Sequence, residues 1–246
     1  MKALILNSGT GTRMGKVSDS KPKCMTDIVT GETILSRQLR QLSHAGVKET
    51  IITTGAYDDV IRAYCHQFSL ANPALSMNFS FVKNEIFHET NYIYSMYLAS
   101  PLVDEDFILL HGDLVFQDEV LLDLVKQEKS TMTVSSTAPI PQKDFKVVIN
   151  NDVIVKIGVD LFSNAIAAQP MYKLKYNDWC LWRDNIEKFC NEGNRRCYAE
   201  DALVDMADPF LLFPIDVKDY ICSEVDDMED LRNVNAQLIS AELDKR

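Results

Sequence analysis

The sequence predicts an α/β protein: a Rossmann-like mixed, mainly parallel sheet flanked by helices, with a small antiparallel extension. Three observations carry this. Apolar runs of strand length lie at 2–6, 49–54, 78–82 and 106–111. Helical patterns separate the first two runs and follow the second, the alternation that builds parallel sheets. Beyond residue 130 the pattern changes to short strand-like runs joined by turn residues.

In chain order, ALIL opens the first strand and leads into the glycine-rich stretch NSGTGTRMG. The next element is a helix over roughly 31–45, with Ile34, Leu35, Leu39 and Leu42 on one stripe and Gly46 placed for a left-handed C-cap. ETIITTG follows at once as the second strand. DFILLHGDLVF delivers Gly112 and Asp113 at the carboxyl end of a strand, the edge at which open α/β sheets bind ligands. STMTVSS, DFKVVI and VIVKIGVDLF read as strands, the last two joined by a turn at Asn150-Asn151-Asp152. A long helix is expected over 170–190, containing Trp179 and Trp182. Another is expected over 227–243, with Met228, Leu231, Val234 and Leu238 on one face. No internal repeat or low-complexity segment interrupts the chain, and no linker divides it, so one domain over 1–246 is expected.

Lys and Arg total 25 against 36 Asp and Glu, a net charge of −11, which argues against a nucleic-acid footprint spread over the surface. An anionic ligand must then be met by a few placed cations. The N-terminal apolar run is short for a signal sequence and no run approaches a membrane span, so a cytoplasmic protein without a membrane partner is expected. The six cysteines, Cys24, Cys65, Cys180, Cys190, Cys197 and Cys222, are scattered without a C-x-x-C and read as reduced thiols, mostly in the core.

Three phosphate-binding readings compete for GTGTRMGK. A Walker A loop fails, because Thr10 stands where its first glycine belongs and Val17 follows Lys16. A dinucleotide fingerprint fits poorly, because the helix starts late and strand two ends Thr53-Thr54-Gly55 with no acidic residue. The third is a long loop whose backbone N–H groups from Ser8 to Thr12 cradle phosphate while Arg13 and Lys23 bring positive charge, Pro22 stiffening the approach.

These residues resemble a known family. L-x-x-G-x-G-x-R-M, followed by Pro22-Lys23, is similar to the signature of nucleotidylyltransferases that activate sugar phosphates and related esters, the nucleotide-diphospho-sugar transferase type of fold. Thr90-Asn91-Tyr92 through Ala99, and Glu224-Val225-Asp226, most resemble the phosphocholine cytidylyltransferase branch. Two departures stand out: Asn7 and Ser8 replace two common alanines, and Arg13-Met14-Gly15-Lys16-Val17-Ser18 lacks the usual proline.

The resemblance implies a nucleotide-binding half over about 1–130 and an acceptor-binding, metal-completing half over about 131–246. It implies nucleotide contacts at Leu6, Asn7, Ser8, Gly9, Thr10, Gly11, Thr12, Arg13, Lys23, Asn84, Thr90 and Gly112, with Arg13 and Lys23 catalytic. It implies Mg²⁺ on Asp113 and Asp226, the latter assisted by Glu224. Asp226 also reads locally as the cap of the last helix, with Glu229 as capping-box partner, and both readings stand. The implied reaction is attack of a phosphate or phosphonate oxygen on the α-phosphorus of CTP. Such an acceptor is already dianionic near neutral pH, its second pKa being ~6, so no general base is required. None of His44, His66, His88 and His111 forms a convincing catalytic set with a nucleophile, and His111 reads as a strand-end residue.

For the acceptor, a quaternary ammonium would want aromatic faces near carboxylates, and Trp179, Trp182, Tyr92, Tyr94, Tyr198, Glu200 and Asp201 are the candidates, with Glu224 beside the metal pair. Trp179 and Trp182 stand three apart, as core residues on one helix face do, so core packing explains them better than a cage. Lys146 is placed either on the acceptor phosphate or toward water. Phosphocholine and aminoethylphosphonate are the expected kinds of acceptor. The rivals are a sugar-1-phosphate nucleotidylyltransferase using UTP, dTTP or GTP, a catalytically silent nucleotide-binding regulatory subunit and, more distantly, an NAD-dependent oxidoreductase. Whether the chain forms a homodimer stays open.

Overall fold

The structure, a computed structural model, describes residues 1–9 and 21–243. Strand β1 (Lys2–Asn7) lies at the heart of the sheet, parallel to β2 (Glu49–Thr54) on one side and to β4 (Phe107–His111) on the other. β3 (Asn78–Lys83) continues the parallel set beyond β2. Beyond β4 the sheet turns mixed: β9 (Ile166–Leu174) runs antiparallel to β4 and to β6 (Thr131–Ser135), and β10 (Phe213–Asp216) is parallel to β6 at the edge. The hairpin β7 (Lys146–Asn150) and β8 (Val153–Gly158) attaches to β9, and β5 (Leu114–Phe116) pairs with β11 (Cys222–Glu224) in a separate two-stranded ribbon. The four strands read from apolar runs and the antiparallel extension are where the sequence places them.

Alternation along β1 explains why its whole apolar run is buried. Leu4 and Leu6 enter one core with Ile51 and Leu109, while Ala3 and Ile5 enter the core on the opposite face with Ile52 and Ile108. Helix α1 (Ile34–His44) covers the second face through Leu35, Leu39 and Leu42, and α2 (Asp58–Ala71), α3 (Tyr92–Ala99) and α4 (Asp118–Val125) follow it along the chain. Thr33 caps it, its Oγ1 accepting from Ser36 N at 3.1 Å, and Gly46 ends it at φ +84°. Asn151 and Asp152 turn the β7–β8 hairpin at φ 50° and 61°.

Two sequence expectations are corrected. The segment expected as one helix over 170–190 is strand β9 to Leu174 and then helix α5 (Tyr176–Asn191). Pro170 sits where the β6–β9 register shifts, and Thr133 Oγ1 bonds Gln169 O and Met171 O on either side of it, so the strand tolerates the proline as a bulge. Helix α7 (Met228–Leu243) buries Leu231, Val234 and Leu238 as expected, but Met228, in its first turn, faces solvent.

All six cysteines are free; Cys24, Cys65, Cys190 and Cys222 are buried. Among the described residues no helix is long and apolar enough to cross a membrane.

Candidate active site

The parallel strands converge with their carboxyl ends on a cavity of about 750 Å³. Leu6, Asn7, Ser8 and Gly9, leaving β1, line it beside His111, Gly112 and Asp113, leaving β4. Two glycines, Gly112 after β4 and Gly55 after β2, let their segments approach the one leaving β1. A Cβ on Gly112 would stand 1.7 Å from Asn7 Oδ1, and one on Gly55 would stand 2.4 Å from Ser8 O. Thr10, Gly11, Thr12 and Arg13 lie outside the described residues.

Lys23 enters from a short turn whose neighbour Cys24 is anchored in the core. Its ammonium donates to Asp113 Oδ2 at 2.6 Å and also to Asp226 Oδ1, joining residues 90 and 203 positions apart. Burial opposes the charge on Lys23, but the two carboxylates outweigh it and raise the ammonium above its ordinary range. Burial likewise opposes the Asp113 anion, and Lys23 and His111 together hold it below the usual range. The other Asp113 oxygen, Oδ1, is buried without a hydrogen-bond partner among the described residues, as are Asn7 Nδ2 and Ser8 Oγ.

The local sequence at α7 offers Asp226 as a cap, but the structure gives that work to its neighbour. Asp227 Oδ1 accepts from Glu229 N (2.7 Å) and Asp230 N (3.1 Å), and Asp230 Oδ2 reaches back to the N–H groups of Asp226 and Asp227. The capping box is Asp227 with Asp230, which leaves the Asp226 carboxylate turned to Lys23.

Next to this group, His111 Nδ1 lies 3.0 Å from Glu224 Oε1, and the edge of Tyr92 packs on the imidazole with centroids 4.9 Å apart. Burial pulls His111 down, yet Glu224 and Asp113 raise it to about 9. Burial and the Asp113 charge push Glu224 up. The Tyr92 and Tyr172 hydroxyls both donate to Glu200, which is only 2% exposed, the second at 2.7 Å. Glu200 therefore supports the cavity wall from behind.

Asn84 and Thr90 stand on the wall nearest β3. Asn84 Nδ2 donates to Thr90 Oγ1 (2.9 Å) and Ser95 Oγ (3.2 Å), and its Oδ1 accepts from Ile86 N (3.1 Å), so this amide shapes the loop. Tyr198 lines the cavity, 5.9 Å from the Tyr92 ring and 5.0 Å from Phe145. Asp201 is exposed and caps α6 (Ala199–Val204), accepting from Tyr198 N at 2.8 Å.

Besides Glu200 and Asp201, four more acceptor candidates do not line the cavity: Tyr94, which stacks on Tyr97, and Trp179, Trp182 and Lys146. Trp179 and Trp182 are fully buried between α5 and the sheet, where Trp179 packs edge-on against Phe107 and Trp182 Nε1 donates to Ala199 O at 2.9 Å. Their spacing of three is that of a core helix face. Lys146 is also fully buried, its ammonium on Pro141 O at 2.8 Å and over the Phe162 ring. Conversely, sequence reasoning passed over Phe87, Phe145, Asp160 and the segment Gln142-Lys143-Asp144, all of which line the cavity. Only the proline-punctuated loop before DFKVVI hinted at the last.

The donor set suits a hard divalent ion. Asp113 carries an unpaired buried oxygen and Asp226 converges on the same ammonium, and Mg²⁺ asks for one or two carboxylates, completing its shell with water and phosphate.

Comparison with known proteins agrees with this architecture. Residues 3–154, more than half of the chain, match the family described as MobA-like NTP transferase domain. A CMP-5'-(3-aminopropyl)phosphonate synthase of Streptomyces rubellomurinus is 29% identical over 136 residues, 55% of this chain and 21% of that protein. A CTP:phosphoglutamine cytidylyltransferase of Campylobacter jejuni is 23% identical over 135 residues, 52% of this chain and 50% of that protein. The matched region thus spans a fifth of the first relative and half of the second. The inositol-1-phosphate CTP transferase structure from T. maritima superposes with a TM-score of 0.76 at 21% identity, over 96% of this chain and 95% of that one, so the folds are alike.

Proposed function

The chain belongs to the MobA-like NTP transferase family, and we propose that within it the chain is a CTP-dependent cytidylyltransferase. On this reading it moves CMP onto a small phosphorylated or phosphonate acceptor and releases pyrophosphate, residues 1–246 working as one domain. The observation that carries it is Lys23 held between Asp113 and Asp226 at the carboxyl edge of the sheet, inside a cavity large enough for a nucleotide. Cytosine as the base rests on the cytidylyl-transferring relatives.

Asp113 and Asp226 would hold Mg²⁺, which would supply positive charge to offset the charge of the phosphates and of the leaving pyrophosphate. Lys23 sets its ammonium beside them, where it neutralises charge developing on the α-phosphoryl oxygens. Arg13 is assigned by sequence to the same task. The backbone leaving β1 cradles the nucleotide, close against Gly112. The acceptor phosphate supplies its own anionic oxygen, its second pKa being ~6, so the protein's work is alignment rather than proton removal.

Phe87, Tyr92, Phe145 and Tyr198 line the cavity, and so do the carboxylates Glu224 and Asp160. Aromatic faces next to carboxylates favour a cationic group, which supports an amine- or trimethylammonium-bearing acceptor. An aminopropylphosphonate in the name of one relative is in keeping with this.

The test is pyrophosphate release from four nucleoside triphosphates crossed with phosphocholine, aminoethylphosphonate, other amino-alcohol phosphates and sugar 1-phosphates, with and without Mg²⁺. Release from CTP with an ammonium-bearing acceptor is expected. Release only from UTP, dTTP or GTP with a sugar phosphate overturns the choice of base and acceptor, and no release from any pair favours a regulatory nucleotide binder.

A further inference from the structure

Among the described residues two lysines line the cavity, Lys23 and Lys143, against the carboxylates of Asp113, Asp144, Asp160, Glu224 and Asp226. Lys23 donates to Asp113 and Asp226, and the proposed reaction assigns it to the α-phosphoryl oxygens. An acceptor phosphate brings further negative charge into these acidic surroundings and needs a cation of its own. Lys143 is exposed, with no hydrogen bond or ion pair among the described residues. The carboxyl of Asp227 is held below its ordinary range first by the N–H groups of Asp230 and Glu229, then by the charges of Arg232 and Lys143. Lys143 therefore lies near the chain neighbour of Asp226.

Lys146, three residues on, is fully buried; its ammonium donates to Pro141 O at 2.8 Å and lies 4.4 Å from the centroid of the Phe162 ring. Its backbone pairs with Gly158 of β8 and Ala167 of β9. A buried ammonium is costly to keep without a carboxylate, and none pairs with this one among the described residues. The ammonium instead joins the chain entering β7, which carries Gln142, Lys143 and Asp144, to the chain leaving β8, which carries Val159 and Asp160. All five of those residues line the cavity, and Phe145, next in the chain, stands edge-on to Tyr198 at 5.0 Å. Lys143, the two rings and Asp160 thus come to the cavity from one stapled wall and its neighbour.

We propose that Lys143 takes the phosphate or phosphonate of the acceptor, and that Lys146 is the positioning residue that staples the wall presenting it. The inference rests on the transferase reading and narrows the acceptor class. Its dianion reaches Lys143 while a cationic group reaches Phe145, Tyr198 and Asp160. A phosphate monoester or phosphonate on a short aminoalkyl chain carries both charges; a sugar 1-phosphate carries only the first.

The experiment measures the KM of nucleotide and acceptor separately, using whichever pair of the panel turns over. The variants are Lys143→Met, Lys143→Arg and Lys146→Met, with Lys156→Met, an exposed lysine of β8 outside the cavity, as the charge control. Lys143→Met should raise the acceptor KM by ~10-fold or more, the usual contribution of a hydrogen bond to a charged group, and leave the nucleotide KM unchanged. Lys143→Arg should keep most of the affinity, and Lys156→Met should change neither KM. The wild-type acceptor KM should rise with salt more steeply than that of Lys143→Met. The gap between the two should narrow below about pH 6, where the acceptor loses its second charge. Lys146→Met, checked for folding by circular dichroism, should raise the acceptor KM alone; an unchanged value in the folded variant removes the staple. Equal acceptor KM in wild type and Lys143→Met, or a rise in the nucleotide KM instead, overturns the proposal. If no pair turns over, equilibrium dialysis of aminoethylphosphonate and of inorganic phosphate against wild type and Lys143→Met decides. Equal binding, or none, overturns the role of Lys143; weaker binding to the variant upholds it even though the transferase reading has failed.

Discussion

The carboxamide of Asn7 occupies the space that a side chain on Gly112 would need, its Oδ1 only 1.7 Å from where a Cβ would be. Gly112 is outside the left-handed region, so any penalty for a methyl there comes from this contact and not from the backbone. Gly112→Ala is expected to cost ~1–3 kcal/mol of stability, the usual range for overpacking. Asn7→Ala should cost much less, because Asn7 Nδ2 has no partner among the described residues to lose. The double variant should recover most of the loss. Urea unfolding of all four chains measures the coupling, and additive effects would show that the two residues do not compete for this space.

Lys23→Ala tests the charge arrangement. It removes the one described cation between Asp113 and Asp226 and should lower pyrophosphate release by ~10²-fold or more, the usual cost of one such contact. Lys23→Arg should recover little, because a planar fork replaces a point charge between two oxygens. Near-normal turnover in Lys23→Ala would remove it from the chemistry.

The readability of this site from sequence was uneven for physical reasons. Strand-length runs and the Gly112-Asp113 position were legible because burial on both faces of β1 and β4 leaves a continuous apolar signature that ends at the ligand edge. Asp226 was ambiguous because a cap and a ligand demand the same residue types; only the hydrogen bonds of Asp227 and Asp230 separate them. The spacing of three in Trp179 and Trp182 already pointed to a core helix face, which is where both lie; aromatic composition alone had made them candidates for the acceptor. Strand β9 was hidden because it is buried along nearly its whole length, so it shows no alternation, and Pro170 reads as a strand breaker.

Acid should loosen the junction between β9 and α5. Burial opposes the Asp106 anion, but Lys175 and the Tyr176 N–H, at 2.8 Å, outweigh it and hold the carboxyl below its ordinary range. Because the folded chain binds this proton less readily than the unfolded one, the stabilisation is complete above the unfolded value of ~3.9 and is lost as pH falls through the lower folded value. Asp106→Asn should therefore melt at a lower temperature than the wild type at neutral pH, with the gap closing below about pH 4. Melting curves across that range check it; a gap that stays constant with pH would mean that the lost ion pair is not its source.

Tyr198 and Trp182 separate a binding aromatic from a structural one. Tyr198 lines the cavity between Phe145 and Tyr92, whereas Trp182 is sealed in the core with its Nε1 on Ala199 O. If an acceptor cation rests on Tyr198, Tyr198→Ala should raise the acceptor KM by roughly 3–30-fold, the equivalent of ~0.5–2 kcal/mol for a cation on an aromatic face. The KM for CTP should not move, and Tyr198→Phe should keep most of the affinity because the ring face is retained. Trp182→Phe should do the reverse: it breaks a buried hydrogen bond and trims a packed ring, costing ~1–3 kcal/mol of stability, with acceptor KM unchanged. The discriminating measurement is the acceptor KM with a trimethylammonium compound against an isosteric neutral one. If Tyr198→Ala weakens both equally, the ring contributes shape rather than charge recognition, and the acceptor need not be cationic.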